Sequence, residues 1–243
     1  MRSLLLAPGD DAARLTAALE SEAQAVVVDL DVAANRRQAA RAYAARVLIE
    51  EAQRPGAPAL IMRLSPLGSG ETDRDLDAIM AAAPFAVMLP RTRGASDVQQ
   101  LSSKLALREA LNALEDGATR IVASIDTAEG LIAAASLRGS SARLVAVAWD
   151  AEALATEVGV EARRDGDGAL LAPLRTARDM TLIAAAAAGV GAIDAAFAGW
   201  DPEALLHEAQ AARRYGFVAK LAIDPAQATI VNEAFAGGRT GEP

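Results

Sequence analysis

Short, almost wholly apolar runs alternate along this chain with longer segments in which Leu and Ala recur at helical spacing between charges. Eight such runs stand out, at residues 3–7, 25–30, 59–64, 85–89, 120–125, 144–148, 192–198 and 221–223. Most are nearly all apolar, the pattern of strands covered on both faces. The segments 11–22, 36–53, 73–82, 96–115, 170–188 and 202–215 instead carry one apolar stripe each and read as outer helices. Ser96-Asp97 and Asp201-Pro202 supply cap and first-turn chemistry, and Gly216 a stop.

Strands alternating with helices predict a parallel sheet, and eight repeats in 243 residues predict one (β/α)8 TIM barrel of the α/β class. The barrel domain is expected over residues 1–236, with the small, polar 237–243 as a flexible tail. PLGSGE at 66–71 and RRDGDG at 163–168 read as loops inside the domain. An open doubly wound sheet would call for a phosphate-binding glycine fingerprint after its first strand. The first turn reads APGDDAAR with a single Gly, and neither GxGxxG nor GxxxxGK[ST] occurs.

Composition narrows this picture. Hydrophobic residues make up 52% of the chain but aromatics only 3%, so the core is built from Ala, Val, Leu and Ile. A net charge of −8 without any Lys/Arg-rich stripe excludes nucleic acid as a partner. With no cysteine, disulfides, thiolate metal sites and thiol nucleophiles are excluded too. The apolar stretch before Pro8 is too short for a signal h-region, and that at 182–190 falls well below the roughly 20 residues of a membrane span. A cytoplasmic protein without membrane contact is the expectation.

In a barrel, residues ending strands on the C-terminal side share one mouth, and helix charges are expected to face solvent. This selects Asp29, Asp31, Arg63, Arg91, Asp126, Asp150 with Glu152, Asp194 and Asp224. An acidic ring with two arginines suits a divalent cation and a small carboxylate, because carboxylate oxygens match Mg²⁺ and guanidinium binds carboxylate through two donors. Ser65, Ser124 and Thr127 have no histidine nearby, and the lone His207 falls on an amphipathic helix as a surface residue, so a hydrolase triad is not expected. Lys220 reads as a barrel-end ion pair rather than a Schiff-base nucleophile.

The segments RSLLLAPGDD, VVVDLD, MRLSPL, VMLPRTRGASDV, SIDTAEGL, VAWDAEALATEVG and GFVAKLAIDPAQATIVNEAF follow one another in that order. The set resembles the HpcH/HpaI aldolase/citrate lyase family, in particular its citrate lyase β-subunit group. The matching patterns there are RS-x-L-x-x-PG, DLED, R-x-N-P, LPK, IETA-x-G, G-x-EDLA and GK-x-x-IHP. The resemblance implies a (β/α)8 barrel that makes or breaks a carbon–carbon bond next to a carboxylate or CoA thioester. It also implies Mg²⁺ stabilising an enolate, and a homo-oligomer, a trimer by analogy.

Residue by residue, Arg63 matches the arginine that holds the substrate carboxylate, and Asp126 stands where the family has a metal-binding Glu. Ala153 occupies the place of the second metal carboxylate, and a methyl group ligates nothing. Asp150, in place of a glycine, is the first candidate for a relocated ligand, while Glu152 matches a family Glu. The expected site is therefore Arg63 and Asp126 for catalysis, Arg63, Arg91, Asp126 and Glu152 for substrate, and Asp126 with Asp150 for metal. Other positions depart from the family: Val32 replaces an acidic residue, Arg91 a Lys and Asp224 a His, and 197–200 read FAGW where an acidic residue is usual. Two readings follow. One is a carbon–carbon lyase or aldolase acting on a small 2-oxo or 3-hydroxy carboxylate or its CoA thioester. The other, favoured by Ala153 and Val32, is a catalytically impaired paralogue with a degraded metal site, acting in ligand binding, regulation or assembly.

Overall fold

The computed structural model describes residues 1–166 and 168–236, so the expected tail at 237–243 lies outside the described residues. Strands β1 (Ser3–Pro8), β2 (Ala25–Asp29), β3 (Ala59–Arg63), β4 (Ala86–Leu89), β5 (Arg120–Ile125), β6 (Leu144–Trp149), β7 (Gly191–Asp194) and β8 (Ala219–Ala222) pair in sequence order. Parallel pairing of β8 with β1 closes the barrel. Around it run α1 (Ala12–Leu19), α2 (Arg37–Glu51), α3 (Thr72–Ile79), α4 (Ala95–Leu111), α5 (Ala128–Ala133), α6 (Ala151–Val158), α7 (Ala172–Ala188), α8 (Pro202–Tyr215) and α9 (Pro225–Ala236). The expected (β/α)8 barrel is borne out.

Because side chains alternate along a strand, each strand contributes to two cores. Leu4, Ala25, Val27, Ile61, Ala86, Met88, Val122, Ala146, Ala148, Ile193 and Ala219 cluster within the barrel. The intervening positions, such as Val26, Val28, Val87, Ala123 and Val147, pack outward against helix residues including Leu15, Leu101, Leu105, Leu174 and Leu205. Burying each such Leu or Val contributes about 1.5–3 kcal/mol. The many alanines within the barrel explain how a chain poor in aromatics fills so narrow a space.

Element boundaries differ from expectation in instructive ways. Strand β7 ends at Asp194 instead of continuing to 198. The chain beyond it forms a loop whose carbonyls at Phe197 and Gly199 accept from Gln227 Nε2 at 3.2 and 3.0 Å. Helix α4 starts at Ala95, one residue before the expected cap. Its first turn is served by Ser136 Oγ, which accepts from Ala95 N at 3.0 Å. Gly94, at φ 124°, makes room for this, since a Cβ there would meet Ser136 Oγ. Asp97 instead accepts from the backbone of Arg93. Asp201 and Gly216 cap α8 as expected. Helices α6 and α9 escaped the pattern because α6 is short and α9 carries a single charged residue, Glu233, too few to mark a polar face.

Helix charges do not all face solvent, contrary to expectation. Asp75, Arg108, Glu109 and Arg178 are buried at inward helical positions. Each has a partner: Glu109 takes both donors of the Arg143 fork at 2.7 and 2.6 Å. Asp75 accepts from Arg41 Nε at 2.7 Å.

Candidate functional site

Strand parity sorts the charged strand ends into two groups. Asp29, Arg63, Asp126 and Asp150 lie two residues beyond the barrel-filling Val27, Ile61, Ser124 and Ala148, so they carry the inward register to the mouth. Asp29 and Arg63 are also direct partners in the β2–β3 register. Arg63 Nη1 donates to both Asp29 oxygens at 3.0 Å. Its Nη2 lies 3.8 Å from Asp126 Oδ2. Among the described residues neither Nη2 nor Nε of Arg63 makes a hydrogen bond. The fork therefore keeps two free donors in a side chain 18% exposed.

Asp126 is nearly fully buried. Its Oδ1 accepts from Ser124 Oγ at 2.5 Å and its Oδ2 from Arg91 N at 2.9 Å. Burial pushes this carboxyl above its ordinary range. The Ser124 hydroxyl, the Arg63 charge and the Arg91 amide offset the rise only in part, and the Asp150 charge adds to it. Arg63 moves upward too, because the charges of Asp29 and Asp126 outweigh the burial that opposes them. Asp150 caps α6, its Oδ1 accepting from Glu152 N and Ala153 N at 2.9 and 3.0 Å.

Loops on either side are held by their own networks. After β3, Asp75 Oδ2 accepts from Ser65 N at 2.7 Å, and Thr72 Oγ1 donates to Ser65 O at 3.0 Å. After β5 the helix cap is Thr127, which accepts from Gly130 N at 3.1 Å and leaves the Asp126 side chain to the mouth. Gly130 allows the close approach of this turn to Thr92, whose carbonyl a Cβ would strike.

Asp194 and Lys220 belong to the opposite parity and face the helices. This corrects the placing of Asp194 at the mouth. Its carboxylate is surrounded by Trp149 Nε1 at 3.0 Å, Arg178 Nε and Nη2 at 3.0 and 2.8 Å, and Lys220 Nζ at 2.8 Å. Lys220, fully buried, also donates to Ala195 O at 2.6 Å and Glu208 Oε1 at 2.9 Å. With three acceptors it is an ion-pairing ammonium, as expected. The charges of Lys220 and Arg178 overcome a burial that would raise Asp194, and hold its carboxyl below the ordinary range.

The other expected positions are dispersed. Glu152 pairs with Arg163 and lines a separate small recess beside Asp194 and Glu208. Asp31 pairs with Arg37 at 3.3 Å, Asp224 accepts from Ala226 N at 2.9 Å, and His207 is exposed on α8. Ser124, weighed in the sequence only as a nucleophile, is the hydroxyl partner of Asp126. Its signal was its position near the end of β5, two residues before Asp126. Arg178 and Glu208 were missed because they sit in helices.

Among the described residues no group of three or more His, Cys, Asp or Glu converges as a metal cage. Asp126 and Asp150 nevertheless influence one another at the mouth, and Asp126 lacks full compensation for its charge. This donor set fits a magnesium ion that takes one or two protein carboxylates and completes its shell with water and substrate.

The class is thus a (β/α)8 barrel whose C-terminal mouth combines a partly free arginine fork with a buried, under-compensated carboxylate. The HpcH/HpaI aldolase/citrate lyase family matches residues 2–225, and the chain belongs to that family. Citrate lyase subunit beta of Leuconostoc mesenteroides subsp. cremoris is 28% identical over 239 residues, 97% of this chain and 76% of that protein. Mitochondrial citramalyl-CoA lyase of Rattus norvegicus is 26% identical over 247 residues, 96% of this chain and 71% of that one. Among solved structures, the citrate lyase beta subunit of M. tuberculosis with oxaloacetate and magnesium superposes with a TM-score of 0.77, at 28% identity and 96% coverage of both chains. The Mycobacterium tuberculosis protein CitE with magnesium, acetoacetate and coenzyme A gives a TM-score of 0.77 at 29% identity, covering 98% of this chain and 82% of that one. No helix among the described residues is long and apolar enough to cross a membrane.

Proposed function

We propose that this protein is a carbon–carbon lyase of the citrate lyase β type, acting on a small 2-oxo or 3-hydroxy carboxylate or its CoA thioester. The observation that carries this reading is the Arg63 fork, anchored on Asp29 through one nitrogen, with two donors left over beside buried Asp126. Those donors match the two oxygens of a carboxylate. Asp29 fixes the orientation of the guanidinium, and Asp126 provides a negative wall that a neutral or cationic ligand edge can meet. Asp126 and Asp150 are the residues that would hold Mg²⁺. When bound, the ion supplies polarisation of the substrate carbonyl oxygen. Relatives that carry magnesium with oxaloacetate, or magnesium with acetoacetate and coenzyme A, support the same assignment.

The test is a calorimetric titration with Mg²⁺ or Mn²⁺ in the presence of oxaloacetate, pyruvate and acetyl-CoA. Metal-dependent binding of a carboxylate is expected, and its absence overturns the lyase reading. A second reading, a catalytically impaired paralogue, has one observation in its favour: position 153 offers Asp150 only a backbone amide where the family places a carboxylate. Ala153→Asp separates the two. A sharp rise in metal affinity, with turnover appearing only in the variant, supports the impaired paralogue. A wild type that turns over substrate overturns it.

A further inference from the structure

A groove of about 410 Å³ lies between the loops that follow β3 and β4. Pro66, Leu67, Ser69, Arg91, Arg93 and Thr127 are among its walls. It adjoins the site through Asp126, which accepts the backbone N–H of Arg91 and precedes Thr127 in the chain. Arg91 is held at φ 50°, in the left-handed region that a side-chain-bearing residue rarely enters. The hydrogen bond to the buried Asp126 keeps it there.

The Arg91 guanidinium is exposed and, among the described residues, makes neither a hydrogen bond nor an ion pair. Arg93, with a side chain 52% exposed, shares the buried Asp97 carboxylate with its own backbone. Two guanidinium groups against one carboxylate leave the groove net positive in a chain whose net charge is −8. Pro66 and Leu67 add an apolar wall. A groove that is cationic in part and apolar in part matches an anion carried on a short aliphatic arm.

We infer that this groove takes a second carboxylate of the substrate, so that Arg91, seconded by Arg93, selects dicarboxylates over monocarboxylates. The inference rests on the proposed binding of the first carboxylate at Arg63. Arg91→Gly is the informative variant, because glycine removes the guanidinium yet suits φ 50°, so the fold is kept.

Calorimetry with Mg²⁺ would compare oxaloacetate with pyruvate, and 2-oxoglutarate with 2-oxobutyrate. The members of each pair differ only in the second carboxylate. The wild type is expected to favour the dicarboxylate at least tenfold in one pair. Arg91→Gly should bring that ratio close to one, and Arg93→Gln should lower it by a smaller factor. Equal affinities within both wild-type pairs, or a ratio that survives in the double variant, overturns the inference. Failure of the Arg63 assignment is read separately: monocarboxylate affinity would then not respond to Arg63→Ala. Absence of binding by all four acids overturns both.

Discussion

Two acid–base pairs bridge neighbouring strands of this barrel, Asp29 with Arg63 across β2–β3 and Asp194 with Lys220 across β7–β8. Their chemistry is similar and their surroundings are opposite. The first pair follows the inward register to an open mouth and leaves part of its arginine unused. The second faces the helices, where Asp194, the Ala195 carbonyl and Glu208 take up every donor of the ammonium, and Trp149 and Arg178 donate to Asp194 in turn. Spare hydrogen-bonding capacity near solvent can be given to a ligand. Capacity that is consumed in the interior can only hold the fold.

Exchanging the roles of these pairs by mutation tests the comparison. The largest effect is expected for Lys220→Met, which leaves Asp194 and Glu208 facing an uncharged side chain. Denaturant unfolding should show a loss of about 3–5 kcal/mol, the usual cost of breaking a buried ion pair. Arg63→Met, measured in the same way, should lose clearly less because water reaches its site. Equal losses would abolish the distinction drawn between the pairs.

Next in size is ligand affinity. Arg63→Ala should weaken carboxylate binding about 100-fold, corresponding to about 3 kcal/mol from a charged two-point contact. A cap effect follows. Asp150→Ala removes the acceptor for two α6 amides and should cost about 1 kcal/mol in thermal unfolding. Under the proposed metal assignment it should also lower Mg²⁺ affinity, and a variant with unaltered affinity would return Asp150 to a purely capping role.

The smallest expected effect is in the response to acid, and its sign differs between the regions. Asp194 is depressed below its ordinary value of 3.8, so its stabilising contribution is present above that value and is lost as pH falls through the folded one. Asp126 is raised above 3.8, so its ionised form costs stability, and that cost fades as pH falls through the raised value. Asp126→Asn should therefore raise the thermal midpoint of metal-free protein near neutral pH. The gain should shrink on acidification toward pH 3.8. A gain that is constant across this range would show that charge is not its source.

Some of the site is legible in the sequence. Arg63 and Asp126 end apolar runs and sit in recognisable motifs, and both are found at the mouth. Lys220 was correctly read as an ion pair. Asp194 was misplaced, although it ends an equally apolar run. Arg91 was selected for its charge, whereas its left-handed backbone is held by Asp126, 35 positions further along.

By itself the sequence determined the number and order of the strands, most of the helices between them, the barrel class and the family. Those follow from local hydrophobic periodicity and from motif order, both written along the chain. Only the tertiary structure decided which strand-end charges meet. A strand buried on both faces has no polar alternation to reveal which parity points toward the axis. Closure of the barrel sets that parity, sending Asp29, Arg63, Asp126 and Asp150 to the mouth and Asp194 and Lys220 into the helical layer.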